Sequence, residues 1–319
     1  MAYRKLIGFG DSSFVVSLPK EWVEKNGLKK GDGLLVDEVN SELKIRPFNS
    51  NTIDNNKITE ITIDYTNDKQ RFKAELIYAY ISNFNLINIV GKDLQKNMVD
   101  IRSLVESLAA LEVVQQSSNK VVLKDLLSIS EVVPYDILRR VDRIILSMME
   151  DVDNSIHGNR DGIIEALQQK ETDVNKLANL IFKVLRRGLN PADGVKLGLN
   201  VDDIFYYWEL TLFVEKVGDQ LKRIPRHVQG KVDLQVIEAY SALVNQYKNA
   251  MKANFTKNVT LALDVIASKG DIFNKLDYCL DKLPRDYVYF LEKMRAMNIY
   301  CGNIAKVLLK MGMRSSDKK

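Results

Sequence analysis

The chain has 319 residues, more than one compact core usually holds, and its 46% apolar content can supply the cores of two or three domains. Its formal net charge of +4 is mild for this length, so the composition permits nucleic-acid binding without arguing for it. No apolar run approaches the roughly 20 residues of a membrane helix, the first residues lack the apolar core of a signal peptide, and there are two cysteines. We therefore expect a cytoplasmic protein with no membrane insertion, disulfide framework or zinc site.

A short β-rich module is predicted at the amino terminus. Residues 3 to 46 show brief apolar and polar alternations separated by glycine-containing turns, which predicts strand, strand, short helix, strand, strand. Pro19 should open the helix and Gly27 should close it. Because so short a segment buries little surface by itself, we expect it to dimerise. We predict a domain over residues 1–48, followed by a linker rich in Asn and Ser.

A second domain is predicted over residues 57–128. Strand-like alternation in ITEITIDY and FNLINIVG is interleaved with the helical stretches KQRFKAELIYAYISN and KNMVDIRSLVESLAALE. The last part, EVVQQSSNKVVLKDLL, is typical of a hairpin that turns at Ser117 to Asn119. The resulting βαβαββ order predicts a ferredoxin-like two-layer sandwich.

The remainder of the chain is predicted to be all helical. Apolar residues recur at spacings of three and four from Pro134 to Met311, and breakers such as RGLNPADG divide this region into six helices. The string KETDVNKL recurs as KGDIFNKL, and VEKVGDQL has a counterpart in NIYCGNIA. We therefore predict a bundle over 134–312 built from two related three-helix repeats, 134–228 and 233–312. The fold class is multidomain α+β.

Two carboxylates in the helical region are spaced for a shared role. Glu215 and Asp219 stand four residues apart on one predicted helix, so they project from the same side at the edge of its apolar face. Oxygen donors at this spacing suit a metal ion if a facing helix contributes another pair, and Glu171 and Asn175 have the same spacing. The alternative is an ordinary salt-bridged surface pair.

No pattern of catalytic residues accompanies these carboxylates. The two histidines, His157 and His227, lie at predicted helix ends without a nucleophile or acid pattern. The chain contains no phosphate-binding glycine-rich loop, nucleophile elbow or zinc motif. We expect a protein that is not an enzyme; a metal-dependent hydrolase would require metal-stimulated turnover that Glu215→Ala abolishes.

The amino-terminal strings SLPKEWVEKNGLKKGD and KIRP resemble the AbrB and SpoVT type of swapped-hairpin module. This resemblance implies an intertwined homodimer that binds DNA, with basic residues of the first strand and of the helix start on the DNA-facing surface. Asp11 departs from the family, in which many members carry Arg there, and a carboxylate opposes phosphate binding. The alternative is a solvated face, since acidic residues are nearly as numerous here. The implied DNA-contacting residues are Arg4, Lys5, Ser12, Ser13, Lys20 and Lys25.

Three helical strings, LRRVDRIILSMMEDVDNSI, KETDVNKLANLIFKVLRR and ELTLFVEKVGDQLKRI, resemble the first half of a PhoU domain. The hallmark of that family is a Glu/Asp-x-x-x-Asp motif associated with bound metal. The sandwich is similar to the middle part of archaeal PhoU-type proteins that begin with an AbrB-like module, so the resemblance spans nearly the whole chain. It implies one divalent or ferric ion held by Glu171, Glu215 and Asp219. The matching positions of the second repeat have lost this site; they are Gly270, Asn274, Ile299 and Asn303.

Together the two resemblances predict a regulator of phosphate uptake and phosphate homeostasis. In the leading hypothesis a DNA-binding transcriptional regulator uses the bundle to sense a metal, phosphate state or protein partner, which shifts the dimer between DNA-competent and incompetent geometries. The alternative is an adaptor that does not bind DNA and docks on a phosphate transporter or its sensor kinase. Asp11 and the mild net charge favour this alternative.

Overall fold

The computed structural model describes residues 3–10, 13–39, 42–48, 59–66, 68–128, 132–227 and 230–311. The chain divides into two compact units, residues 1–58 and residues 59–319. A small strand module forms the first, and a sheet with helices followed by a helical bundle forms the second, in the order that the sequence predicted. The sheet and the bundle share one compact unit, and the domain boundaries proposed from the sequence stay predictions.

The amino-terminal module contains two separate antiparallel hairpins on either side of a short helix. The helix ends as predicted, because Gly27 takes a left-handed φ of +65° and its N–H donates to the carbonyl oxygen of Glu24 at 3.0 Å. The two hairpins do not pair with each other in the described residues. The elements are β1 Ile7–Phe9, β2 Ser13–Val15, α1 Lys20–Lys25, β3 Leu34–Val39 and β4 Glu42–Pro47.

The middle region, called the sandwich, follows the predicted βαβαββ order. Its elements are β5 Glu60–Asp64, α2 Lys69–Ile81, β6 Leu86–Val90, α3 Met98–Glu106, β7 Leu111–Gln116 and β8 Lys120–Asp125. The strand order is β5-β6-β8-β7, in which β5 and β6 are parallel and the other pairs antiparallel. Leu76 of α2 and Ile101 of α3 pack with Ile89 and Leu123 of the sheet in one apolar core. The hairpin predicted at Ser117 to Asn119 is confirmed.

The carboxy-terminal region, called the bundle, contains six long helices in its described part. These are α4 Pro134–Ile156, α5 Ile163–Gly188, α7 Val201–Leu221, α8 Leu234–Thr256, α9 Val259–Lys282 and α10 Val288–Lys310. The segment RGLNPADG separates two long helices as predicted. The prediction was incomplete, because a short helix, α6, spans Pro191–Leu197 within and beyond this segment. Proline lacks only an N–H that the first turn of a helix leaves unpaired, so it can begin a helix as well as end one.

The two predicted repeats of the bundle share a single apolar core. Buried side chains such as Ile145 and Val214 in the first repeat belong to the same cluster as Leu243 and Met294 in the second. The hydroxyl of buried Tyr240 on α8 donates to the carbonyl oxygen of Met149 on α4 at 2.9 Å, which joins the repeats directly. No helix in the described ranges is long and apolar enough to cross a lipid bilayer.

Gly194 allows α6 to lie against neighbouring backbone. A Cβ atom there would lie 2.7 Å from the carbonyl oxygen of Gly188 and 3.3 Å from that of Leu199. Because backbone atoms cannot move aside cheaply, we expect Gly194→Ala to lower the free energy of unfolding by about 1–3 kcal/mol in urea titrations, despite the better helix propensity of alanine. The matched control is Gly270→Ala in α9, where nothing lies within 4 Å of the added carbon. This control should raise stability by up to about 1 kcal/mol, and the same gain at Gly194 would contradict the close approach.

Candidate nucleic-acid interface and carboxylate cluster

The predicted DNA-contacting residues that the structure describes are all exposed. Arg4 and Lys5 precede β1, Ser13 begins β2, and Lys20 and Lys25 are the first and last residues of α1. The Nζ atom of Lys20 lies 3.6 Å from Oε1 of Glu24, but both side chains are well exposed, so water screens this pair and Lys20 stays accessible to an anion. Ser12 and Asp11 lie outside the described residues.

One face of the β3–β4 hairpin is mostly apolar and lies open, and Glu38 lies on it opposite Leu43. The register places Val36 opposite Ile45, and Leu34 and Leu43 lie on the same face because side chains two residues apart share a face of a strand. The side chains of Val36 and Leu43 are 56% and 66% exposed, and no side chain described within residues 3–48 is buried. A two-stranded hairpin without a covered face is marginally stable in water. The module therefore needs a covering surface that its own described residues do not supply.

The carboxylate cluster joins α5 to α7 through a lysine. The Nζ atom of Lys222 lies 2.6 Å from Oε1 of Glu171 and 3.1 Å from Oδ1 of Asp219. Nδ2 of Asn175 donates to the same oxygen of Glu171 at 2.7 Å, and Nη2 of Arg223 lies 2.8 Å from Oδ2 of Asp219. Both carboxylates are thus already bound by cationic groups of the chain.

Glu215 lies in the same neighbourhood and is half-buried. Burial raises its pKa; Lys216 opposes this rise, whereas the charges of Asp219 and Glu171 add to it. The structure therefore brings the three residues predicted as metal ligands together. In the described residues, however, no group of three or more His, Cys, Asp and Glu side chains is arranged to hold a metal ion.

These side chains do not fit a metal ion as they stand. Metal ions bind carboxylate oxygens at about 2.0–2.6 Å, and the space between Glu171 and Asp219 is filled by the ammonium group of Lys222. A divalent or ferric ion at this place would face a positive charge instead of an open carboxylate pair. The predicted ion and its three ligands stay a prediction.

A buried lysine connects the bundle to the sandwich. Lys183 of α5 has a fully buried side chain, and its Nζ atom donates to the carbonyl oxygen of Tyr80 at 2.9 Å and lies 2.9 Å from Oδ2 of Asp125. The ammonium also lies 4.4 Å from the centroid of the Tyr80 ring. Asn83 of the sandwich completes the junction by donating to the backbone oxygen of Lys183 at 3.1 Å. This junction was not predicted from the sequence.

Comparison with known proteins supports the interpretation of the amino-terminal module. Residues 9–52 match the family described as antidote-toxin recognition MazE, bacterial antitoxin. The module is MazE/AbrB-like. The predicted resemblance of the amino-terminal sequence to AbrB-type modules is thus confirmed. The family match covers a small part of the chain.

The crystal structure of PhoU from Pseudomonas aeruginosa is similar to this protein with a TM-score of 0.48 and 15% sequence identity. The similarity covers 56% of this chain and 94% of that chain. No curated protein matches the sequence. The archaeal origin implied by the sequence resemblance stays a prediction.

Lys222 and Lys183 are the important charged residues that the sequence analysis missed. The i, i+3 spacing of Asp219 and Lys222 on one helix is a signal that could have indicated their pair. Nothing in the sequence links Lys222 to Glu171, which lies 51 residues earlier, or Lys183 to Asp125. These contacts exist only because α5 packs against α7 and against the sandwich.

Proposed function

We propose that this protein is a dimeric, DNA-binding transcriptional regulator of phosphate uptake and phosphate homeostasis that acts in the cytoplasm. The observation that carries the proposal is the MazE/AbrB-like module with its open, mostly apolar hairpin face, joined in one chain to a compact unit of sandwich and bundle. Domains of this kind usually dimerise and bind DNA. The phosphate part of the proposal is supported by the resemblance of the helical strings to PhoU domains.

The second copy of the module is the proposed cover for the apolar face. Leu34, Val36, Leu43 and Ile45 expose enough apolar surface that a monomer would leave the module without a core. Pairing two identical hairpins buries this face by the same contacts in both copies, as two-fold symmetry requires. A dimer would also double the number of basic side chains presented to a DNA duplex.

Phosphate neutralisation is the proposed source of DNA affinity. The exposed basic side chains of the module are Arg4, Lys5, Lys20 and Lys25. A side chain of this kind that contacts a backbone phosphate releases bound counterions from the DNA. Ser13, with Ser12, supplies hydroxyl donors for positioning on the backbone. The bundle would act by favouring one geometry of the paired modules, which is a population shift. Equal operator affinity with and without phosphate or divalent metal would remove this coupling.

The test is binding to promoter DNA of phosphate-transport genes over a salt series. We expect the triple variant Arg4→Ala, Lys5→Ala, Lys20→Ala to bind at least about a hundredfold more weakly near 0.15 M salt. The slope of log affinity against log salt should fall by about 5.4, because the proposed dimer loses six phosphate contacts and each contributes about 0.9.

The matched control removes three exposed lysines from the sandwich, Lys92, Lys96 and Lys120, which changes the net charge by the same amount. This control should bind as wild type does. If wild type binds DNA weakly and the two triple variants have the same DNA affinity, the module serves only for dimerisation.

The second candidate is an adaptor that docks on a phosphate transporter or its sensor kinase. The near balance of acidic and basic residues in the module favours it, as does the carboxylate of Asp11. This candidate predicts no better than non-specific DNA affinity. It also predicts that affinity capture from cell extract recovers components of phosphate transport or signalling.

A further inference from the structure

The positive charge at the carboxylate cluster comes from the chain itself. Lys222 extends from the carboxy-terminal end of α7, and its ammonium lies between a carboxylate of α5 and one of its own helix. The side chains of Lys222 and Glu171 are 20% and 13% exposed, so water reaches this pair far less than an ordinary surface pair. An ion pair with so little solvent is stronger than an exposed one.

The lysine occupies the place that a metal ion would need. Oε1 of Glu171 already accepts two hydrogen bonds, from Lys222 at 2.6 Å and from Asn175 at 2.7 Å. Asp219 has Lys222 on one oxygen and Arg223 on the other. A metal ion could reach both carboxylates only after the lysine had left, and the departing ammonium would lose two ionic contacts.

The matching positions of the second repeat offer no carboxylate to a metal ion. They are Gly270, Asn274, Ile299 and Asn303. The stem of Lys269 covers Gly302, since a Cβ atom on that glycine would lie 3.3 Å from the lysine Cδ. In the first repeat a lysine neutralises the pair formed by Glu171 and Asp219, and in the second repeat the matching positions have no acidic residue.

We infer that the Lys222 ammonium is the resident cation of the first repeat, and that an internal ammonium–carboxylate bridge ties α5 to α7 in place of a metal ion. The bridge makes the bundle independent of metal supply. Metal is then not the signal that the bundle senses, which narrows the proposed input to phosphate state or a protein partner. This inference stands on the cluster geometry and does not depend on DNA binding.

The test compares wild type with Lys222→Ala after removal of metals by a chelator. Equilibrium dialysis against Mn²⁺ and elemental analysis should find no stoichiometric Mn²⁺ on wild type. Lys222→Ala should melt about 4 °C lower, because Glu171 and Asp219 lose their shared counter-charge. The double variant Lys222→Ala, Glu171→Gln should regain most of the lost melting temperature. Mn²⁺ should bind and stabilise Lys222→Ala, but neither wild type nor the double variant.

The matched control is Lys170→Ala, which removes another partly buried lysine of α5, paired with Asp151 at 2.7 Å on α4. Its melting temperature should also fall, but neither Mn²⁺ nor Glu171→Gln should restore it. One equivalent of Mn²⁺ on wild type would overturn the inference, as would failure of Glu171→Gln to restore Lys222→Ala. Absence of Mn²⁺ uptake by Lys222→Ala would overturn the claim that the lysine stands in place of a metal.

Discussion

Lys183→Met is expected to lower the free energy of unfolding of the second unit by about 3–5 kcal/mol, because it leaves the carboxylate of Asp125 buried without its cation. The methionine fills much of the space of the lysine stem, so the loss reports the charge and its hydrogen bond to Tyr80 more than an empty cavity. Urea titration followed by circular dichroism measures this change. The junction between sandwich and bundle should open first.

A double-mutant cycle separates the ion pair from packing. Replacing both partners, as Lys183→Met with Asp125→Leu, should recover most of the loss, since a buried pair exchanged for apolar groups is often neutral in stability. Arg186→Met is the control on the same helix; it removes the same charge from an exposed side chain and should change stability by less than about 0.5 kcal/mol. A loss for Lys183→Met no larger than the control would show that the pair does not hold the junction.

The same lysine gives a pH signature. Burial lowers the pKa of Lys183 from its ordinary value of 10.5, and the charge of Asp125 opposes this shift. The unfolded chain therefore holds the proton to a higher pH than the folded protein does. The contribution of Lys183 to the free energy of unfolding therefore rises as the pH increases from the lowered pKa to 10.5. This gain is lost as the pH falls back to the lowered pKa. Lys183→Met should lack this rise below pH 10.5.

Leu43→Asp is expected to convert the protein from a dimer to a monomer at micromolar concentration. The substitution places a carboxylate in the apolar face formed with Val36 and Ile45, which the proposed dimer buries. Burying a charge without a partner costs at least about 3 kcal/mol, which weakens the dimer a hundredfold or more. Sedimentation velocity measures the change, and DNA affinity should fall with it because a monomer presents half of the basic residues.

Lys44→Asp is the matched control, since it puts the same side chain one residue further along the strand and therefore on the opposite face. It should leave the sedimentation coefficient unchanged. A wild-type protein that sediments as a monomer would contradict the proposed dimer whatever the variants do. Equal dissociation of both variants would show that the contact does not use the apolar face.

Local elements were predictable where a residue type determines the backbone directly. The turn after α1 requires a left-handed residue and Gly27 supplies one, while Ser117 to Asn119 lie between two runs of strand-forming residues. The helix α6 was missed because Pro191 and the two glycines around it indicate a break as readily as a start. Only the packing of α6 against the backbone of Gly188 shows that a helix begins at Pro191.

The candidate sites divide in the same way. Helical spacing was enough to place Glu215 and Asp219 on one side of a helix and to suggest that Glu171 faces them. Spacing cannot show which cation lies between two helices, because the contact of Lys222 with Glu171 joins residues 51 positions apart. The sequence resemblance therefore implied a metal where the folded chain places its own ammonium.

The sequence by itself determined the order of the three regions, their strands and long helices, the hairpin at Ser117 to Asn119, the end of α1, and the similarity of the first region to a MazE/AbrB-like module. These properties depend on neighbours along the chain, whose periodicity and turn residues can be read directly. The tertiary structure alone decided the strand order of the sandwich, the shared core of the two repeats, and the partners of Lys183 and Lys222. These depend on groups distant in sequence, because a charge is stabilised by whatever the packed helices bring within a few ångströms of it.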